Sequence, residues 1–181
     1  FSDEDLWTVP VEINGSGLRS GTPDLFLRTS SYERVPKFSP DGRWIAYHSN
    51  ESGQDEVYVR PFVATPPTGT ASGSSDAQWQ VSTAGGVFPI WRADGRELYY
   101  VAPNGDLMAA SIAPRGNAVE VSVPTMLFRP RILGGGVDNG QGREYDVAKD
   151  GRFLVNVTLD DGSAPITLIQ NWQPPTRSAD R

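Results

Sequence analysis

FSPDGRWIAYHSN, residues 38–50, joins a Pro-Asp-Gly turn to a run of aromatic and aliphatic residues. The same shape returns at 91–103 as WRADGRELYYVAP and at 147–159 as VAKDGRFLVNVTL. The Asp-Gly-Arg triplets begin at positions 41, 94 and 150, so they lie 53 and 56 residues apart. A repeat of that length, built from strands and turns alone, is the size of a four-stranded propeller blade.

Strands can be read unit by unit. In the first, VPKFSP precedes the turn and RWIAYHS follows it; NESGQD turns the chain, EVYVRPF returns and WQVST closes the unit. In the second, the strands are GVFPIWR, ELYYVA, DLMAASI and VEVSVPTMLF, with Asn104-Gly105 read as a hairpin turn whose two central residues take positive φ. In the third, EYDVA and RFLVNVTL flank the triplet, and ITLIQNW follows the turn DDGSAP. Asp suits these turns because its side chain can bond the main chain two residues on, and Gly supplies the left-handed position.

The rest of the composition fits. Gly (19) and Pro (15) are well above the usual combined share of about 12%, which favours many short strands and turns. No stretch free of Gly and Pro carries a 3.6-residue apolar period long enough for a helix. The fold class expected is therefore all-β: about three blades of four antiparallel strands, over 35–83, 87–128 and 143–172. Residues 5–30 would supply two outer strands, DLWTVPV and LFLRTS, of a preceding blade, and 173–181 a flexible tail. Three blades leave open sheet edges, so the expectation is either the C-terminal part of a longer protein or a homodimer closing a six-bladed ring. In that ring, LFLRTS of one copy would lie beside ITLIQNW of the other. A start at Phe1, with no leader-like segment, also reads as a processed product or a fragment.

FSPDGRWIAYHSNESGQDEVYVRPF, followed by WQVSTAGGVFPIWRADGRELYYVAPNGDLMAASI, resembles the TolB-type, WD-like β-propeller repeats of bacteria. It is similar in particular to the C-terminal propeller fused to some bacterial membrane-anchored Ser/Thr kinases. The resemblance runs over roughly residues 5–172. It implies a propeller used for protein interaction or sensing, in the periplasm or at the cell surface. No residue-level partner motif carries over, and the kinase Gly-rich and His-Arg-Asp loops are absent from these 181 residues.

Chemistry is sparse. A net charge of −6 argues against binding nucleic acid through phosphates, and no apolar run of about 18 residues could insert in a membrane as a helix. With no Cys and one His, thiol catalysis is excluded and a zinc site is not expected. His48, the single His, reads as a structural strand residue bonded to a carbonyl. A Ser-His-acid triad would have to use it, yet no Gly-x-Ser-x-Gly elbow is present. TLDDGS and VDNGQG are conceivable oxygen-only calcium loops without EF-hand spacing. LGGGVDNGQG (133–142) and TPPTGTASGSSD (65–76) read as loops, and the acidic groups in SDEDL and QDEV as solvated turn charges. Trp44, Trp79, Trp91 and Trp172 read as packing between blades.

Propeller geometry puts the loops entering each inner strand on one face with the second hairpin of each blade, and the Asp-Gly-Arg turns on the other. Tyr32, Glu33, Arg34, Phe88, Arg143 and Glu144 fall just before the inner strands and are the candidate binding residues. No catalytic residue, metal ligand or cofactor is assigned. The function expected is a non-catalytic interaction or sensor propeller with a protein or peptide partner. The alternative is a hydrolase or hydrolase-associated propeller, of the kind appended to oligopeptidases.

Overall fold

The three Asp-Gly-Arg triplets close their turns with one set of hydrogen bonds. Gly42, Gly95 and Gly151 donate their N–H to the carbonyls of Ser39, Arg92 and Ala148 at 2.9 Å in each case. The following arginine N–H groups of Arg43, Arg96 and Arg152 bond back to Asp41, Asp94 and Asp150 Oδ1 at 3.1, 3.0 and 3.2 Å. Each glycine has φ between +70° and +87°, a conformation that costs a residue with a Cβ. Asn104-Gly105 differs from the expectation. Only Gly105 has positive φ, and Asn104 Oδ1 instead accepts the Asp106 N–H at 3.0 Å, so this hairpin copies the Asp-Gly-Arg turn.

The computed structural model describes residues 4–15, 17–63 and 77–157. Its regular elements are all strands: β1 (Leu6–Thr8), β2 (Val11–Asn14), β3 (Gly17–Ser20), β4 (Asp24–Leu27), β5 (Glu33–Phe38), β6 (Trp44–Ser49), β7 (Glu56–Pro61), β8 (Trp79–Gln80), β9 (Val87–Trp91), β10 (Glu97–Val101), β11 (Leu107–Arg115), β12 (Ala118–Val121), β13 (Thr125–Phe128), β14 (Tyr145–Val147) and β15 (Phe153–Val155). β5-β6-β7-β8 form one antiparallel sheet and β9-β10-β11 with β12 and β13 another, while β1-β4, β2-β3 and β14-β15 are antiparallel pairs. Among the described residues no helix is long and apolar enough to cross a membrane.

These sheets stack face to face, and strand alternation explains how. On β6, Trp44 and Ala46 point to one side and Ile45 and Tyr47 to the other, and all four are buried. The first side meets Trp91, Leu98, Tyr100 and Ile112 of the second sheet; the second side meets Leu6, Phe26 and Leu27 of β1 and β4. β10 repeats this, with Leu98 and Tyr100 facing back and Tyr99 and Val101 facing Tyr145, Val147 and Phe153. Each fully buried aliphatic side chain contributes roughly 1.5–3 kcal/mol. First strands run beside one another: Trp91 Nε1 donates to the Lys37 carbonyl at 3.1 Å and the Tyr145 hydroxyl to the Phe88 carbonyl at 2.8 Å. The fold is an all-β partial propeller.

Details depart from the sequence reading. VEVSVPTMLF is two strands: β12 pairs the far half of β11 and β13 the near half, with Pro124 between them. β11 itself runs on to Arg115. β2 and β3 make a hairpin that exposes Val11, Ile13 and Leu18. β4 pairs β1 within the chain. Trp44 and Trp91 are buried and Trp79 packs against them, as expected of inter-blade residues. DDGSAP, TLDDGS, ITLIQNW with Trp172, TPPTGTASGSSD and the tail lie outside the described residues.

Candidate functional site

Val35 and Phe88 have φ of 49° and 60°, and Pro36 and Pro89 follow them. Both positions bulge out of their ladders: register shifts between Arg34 and Lys37 on β5, and opposite Phe88 and Pro89 on β9. A proline has no N–H to lose there. The bulge turns the main chain of Phe88 toward its neighbours. Its N–H donates to His48 Nδ1 of β6 at 3.4 Å, and its carbonyl accepts from Tyr145 of β14.

From His48 a polar chain leads outward. Nε2 lies 3.1 Å from Asp138 Oδ2, whose other oxygen accepts the Gly140 N–H at 2.9 Å. Because Nδ1 accepts a main-chain N–H, the proton sits on Nε2 and donates to Asp138. Burial lowers the His48 pKa, outweighing the opposite pull of Asp138 and Asp55. Asp138 also lies 3.5 Å from Arg34, which pairs with both oxygens of Glu4 and stands over the Tyr32 ring at 4.3 Å. The Tyr32 hydroxyl donates to Asp55 Oδ1 at 2.5 Å and its N–H to Asn50 Oδ1 at 3.2 Å. Burial, then Asp55, raises the Tyr32 pKa to about 12, so the phenol is the donor. The bonds from Tyr32 to Asn50 and Asp55 put the entry to β5 on the same face as the β6–β7 hairpin.

Above this chain lies an open cleft of about 710 Å³, bordered by β1, β5 and the 138–142 loop. It is lined by Glu4, Asp5, Glu33 and Asp138, with Arg34 and Trp7. Among the described residues no group of acids and His is arranged to hold a metal ion.

Of the six candidate binding residues, Tyr32, Glu33 and Arg34 sit together here. Phe88 is buried beneath them and meets His48 edge-on, so it presents no surface at the mouth. Arg143 and Glu144 line a different cleft, of about 280 Å³, where Arg143 Nε donates to the Tyr145 carbonyl and Glu144 accepts from Asn156.

Four acids that sequence reasoning passed over matter. Asp138, read as a loop residue, joins His48 to Arg34; its Asp-x-Gly spacing signals a turn but not this long-range contact. His48 therefore bonds a carboxylate and a main-chain N–H rather than a carbonyl. Glu56, read as a solvated turn charge, is buried at the start of β7, where it accepts from Ser82 Oγ, Gly85 N–H at 2.9 Å and Gln54 Nε2 at 2.6 Å. It satisfies the loop entering β9, and that need is why a charge is buried there. Glu4 and Asp5 are likewise committed to ion pairs, with Arg34 and Arg28.

No family model matches the sequence, and no curated protein does. Among solved structures, one described as TolB from Agrobacterium tumefaciens is similar over 72% of this chain and 47% of its own, with 18% identity and a TM-score of 0.40. The chain thus spans about half the length of that structure.

Proposed function

We propose that this chain is a non-catalytic propeller segment that presents the cleft at the mouth of its inner strands to a protein or peptide partner. The observation that carries this reading is the cluster of Tyr32, Arg34, Asp138 and His48. It draws on β5, β6 and the 138–142 loop, and it stands on buried strands, which is the rigid support a binding site needs. The reading includes a place in a longer extracytoplasmic protein, of the kind in which a propeller follows a membrane-anchored Ser/Thr kinase. In it, further blades outside this chain complete the ring, so light scattering of this chain should give a monomer rather than a closed dimer. A dimer would revive the two-copy ring.

The hydrolase alternative is not favoured, because it needs His48 as a base and both of its ring nitrogens are engaged. Ester and peptide turnover by the purified chain, abolished by His48→Ala, would reinstate it.

The test of the main reading is selection of short random peptides on the whole chain, followed by fluorescence anisotropy with the selected peptides. Arg34→Ala should weaken binding at least about tenfold, the scale of one lost charge-assisted contact. Selection that yields no binder, or binders indifferent to Arg34→Ala, would sink the reading.

A further inference from the structure

Glu33 is an anomaly in the wall of the mouth cleft. It is 2% exposed, and the Thr29 hydroxyl donates to its Oε1. Its Oε2 is buried and, among the described residues, has no hydrogen-bond partner. A buried carboxylate oxygen left unpaired is costly, and a neutral carboxyl would leave that atom just as unpartnered. The surrounding wall sharpens the point. Four acids line it, against two guanidiniums: Arg34, shared between Glu4 and Asp138, and Arg28, paired with Asp5. An anionic ligand would be repelled, and a neutral one would leave Oε2 as it is. A cation supplies both charge and donors.

The apolar part of the wall narrows the class. Leu6, Val35 and Pro36 line the cleft, a surface suited to the methylene stem of a long side chain. Trp7 is half exposed and already carries the Arg28 guanidinium 5.7 Å from its ring centroid, so a cation against this ring is a chemistry the wall supports. The lack of a metal-type cluster among the described residues points away from a bare ion.

We infer that the cleft receives a basic side chain, Lys or Arg, of a partner polypeptide, with its charged head beside Glu33 and its stem along Leu6, Val35 and Pro36. This rests on the reading of the mouth as a peptide site and names what that site selects.

The test uses the same peptide selection on the whole chain, with each selected peptide remade with norleucine in place of its basic residue. Selected peptides should share a Lys or Arg at a fixed position. Norleucine there should cost about tenfold in affinity, and the cost should shrink as salt rises. Glu33→Gln, which keeps the side-chain shape, should produce the same loss and abolish the difference between the basic and norleucine peptides. Trp7→Ala, an exposed change, gives a second reading should Glu33→Gln fold poorly, and should weaken the basic peptides alone. Peptides that bind in an Arg34-dependent way with no basic preference, or whose preference survives both Glu33→Gln and Trp7→Ala, would overturn this inference and leave the peptide-site reading intact. No binding peptide of any composition would remove both.

Discussion

Val35 and Phe88 hold equivalent places in successive units: each lies six residues before its Asp-Gly-Arg aspartate, each is left-handed, and each precedes a proline. A β-branched residue such as Val35 pays for that conformation, on the scale of about 1–3 kcal/mol. Val35→Gly should therefore lose no more than about 1 kcal/mol in urea unfolding, because relief of strain offsets the lost side chain. Val59→Gly, in an ordinary buried strand position, should cost several times more. Equal losses would show that Val35 is unstrained.

Tyr145→Phe keeps the ring in its buried site and deletes the bond to the Phe88 carbonyl. The orphaned carbonyl should cost roughly 1–3 kcal/mol, read from the shift in urea midpoint at constant slope. A change below about 0.5 kcal/mol would mean that the bond between β14 and β9 contributes little.

Glu56→Ala strips three donors of one acceptor. With Ser82 Oγ, the Gly85 N–H and Gln54 left in the interior, the expected loss is roughly 3 kcal/mol or more. Glu120→Ala, an exposed acid paired with Arg115, should change stability by less than about 0.5 kcal/mol. Comparable effects would return Glu56 to the class of solvated charges.

Gly136 lies against the Ala102–Pro103 main chain, and a Cβ there would overlap the Ala102 carbonyl oxygen. Gly136→Ala should push away the loop that carries Asp138, removing its contacts with His48 and Arg34 together. The His48 ring resonances, followed by NMR, should then shift as strongly as in Asp138→Ala. An unchanged His48 spectrum would mean that the loop tolerates the methyl group.

The pH dependence has two opposed parts. The His48 pKa is lowered from 6.5 by burial, with Asp138, Asp55 and Arg34 as the charged groups around it. Its unfolded form binds a proton more readily, so its contribution is complete above 6.5 and is lost as pH falls toward the folded value. Glu33 runs the other way. Burial raises its pKa from 4.5, so its contribution is complete below 4.5 and is lost as pH rises through the folded value. His48→Gln should flatten the limb that rises toward pH 6.5, and Glu33→Gln should stabilise the protein at neutral pH. Profiles parallel to that of the unsubstituted protein would contradict both.

The architecture was largely legible because its signals are local. The Asp-Gly-Arg turns form their bonds within a few residues, and alternation marks both faces of β6 and β10. What escaped was long-range. Nothing near Glu56 announces that the loop before β9 needs an acceptor, and nothing near Asp138 announces His48, 90 residues away. The break between β12 and β13 was visible only as Pro124, in a run whose β-propensity reads as continuous. Tyr32, Glu33 and Arg34 were found together because they are adjacent in the chain, whereas Arg143 and Glu144 were grouped with them by assumed symmetry that the loop geometry does not keep.

Because β6 and β10 divide their side chains between two neighbouring interiors, neither sheet encloses hydrophobic matter of its own. Excised alone, the β5–β8 segment would turn Trp44, Ile45, Tyr47 and Val59 to water on both sides. Cooperativity in this molecule therefore resides in the spaces between sheets, and loss of order should begin at the ends of the stack and move inward one space at a time.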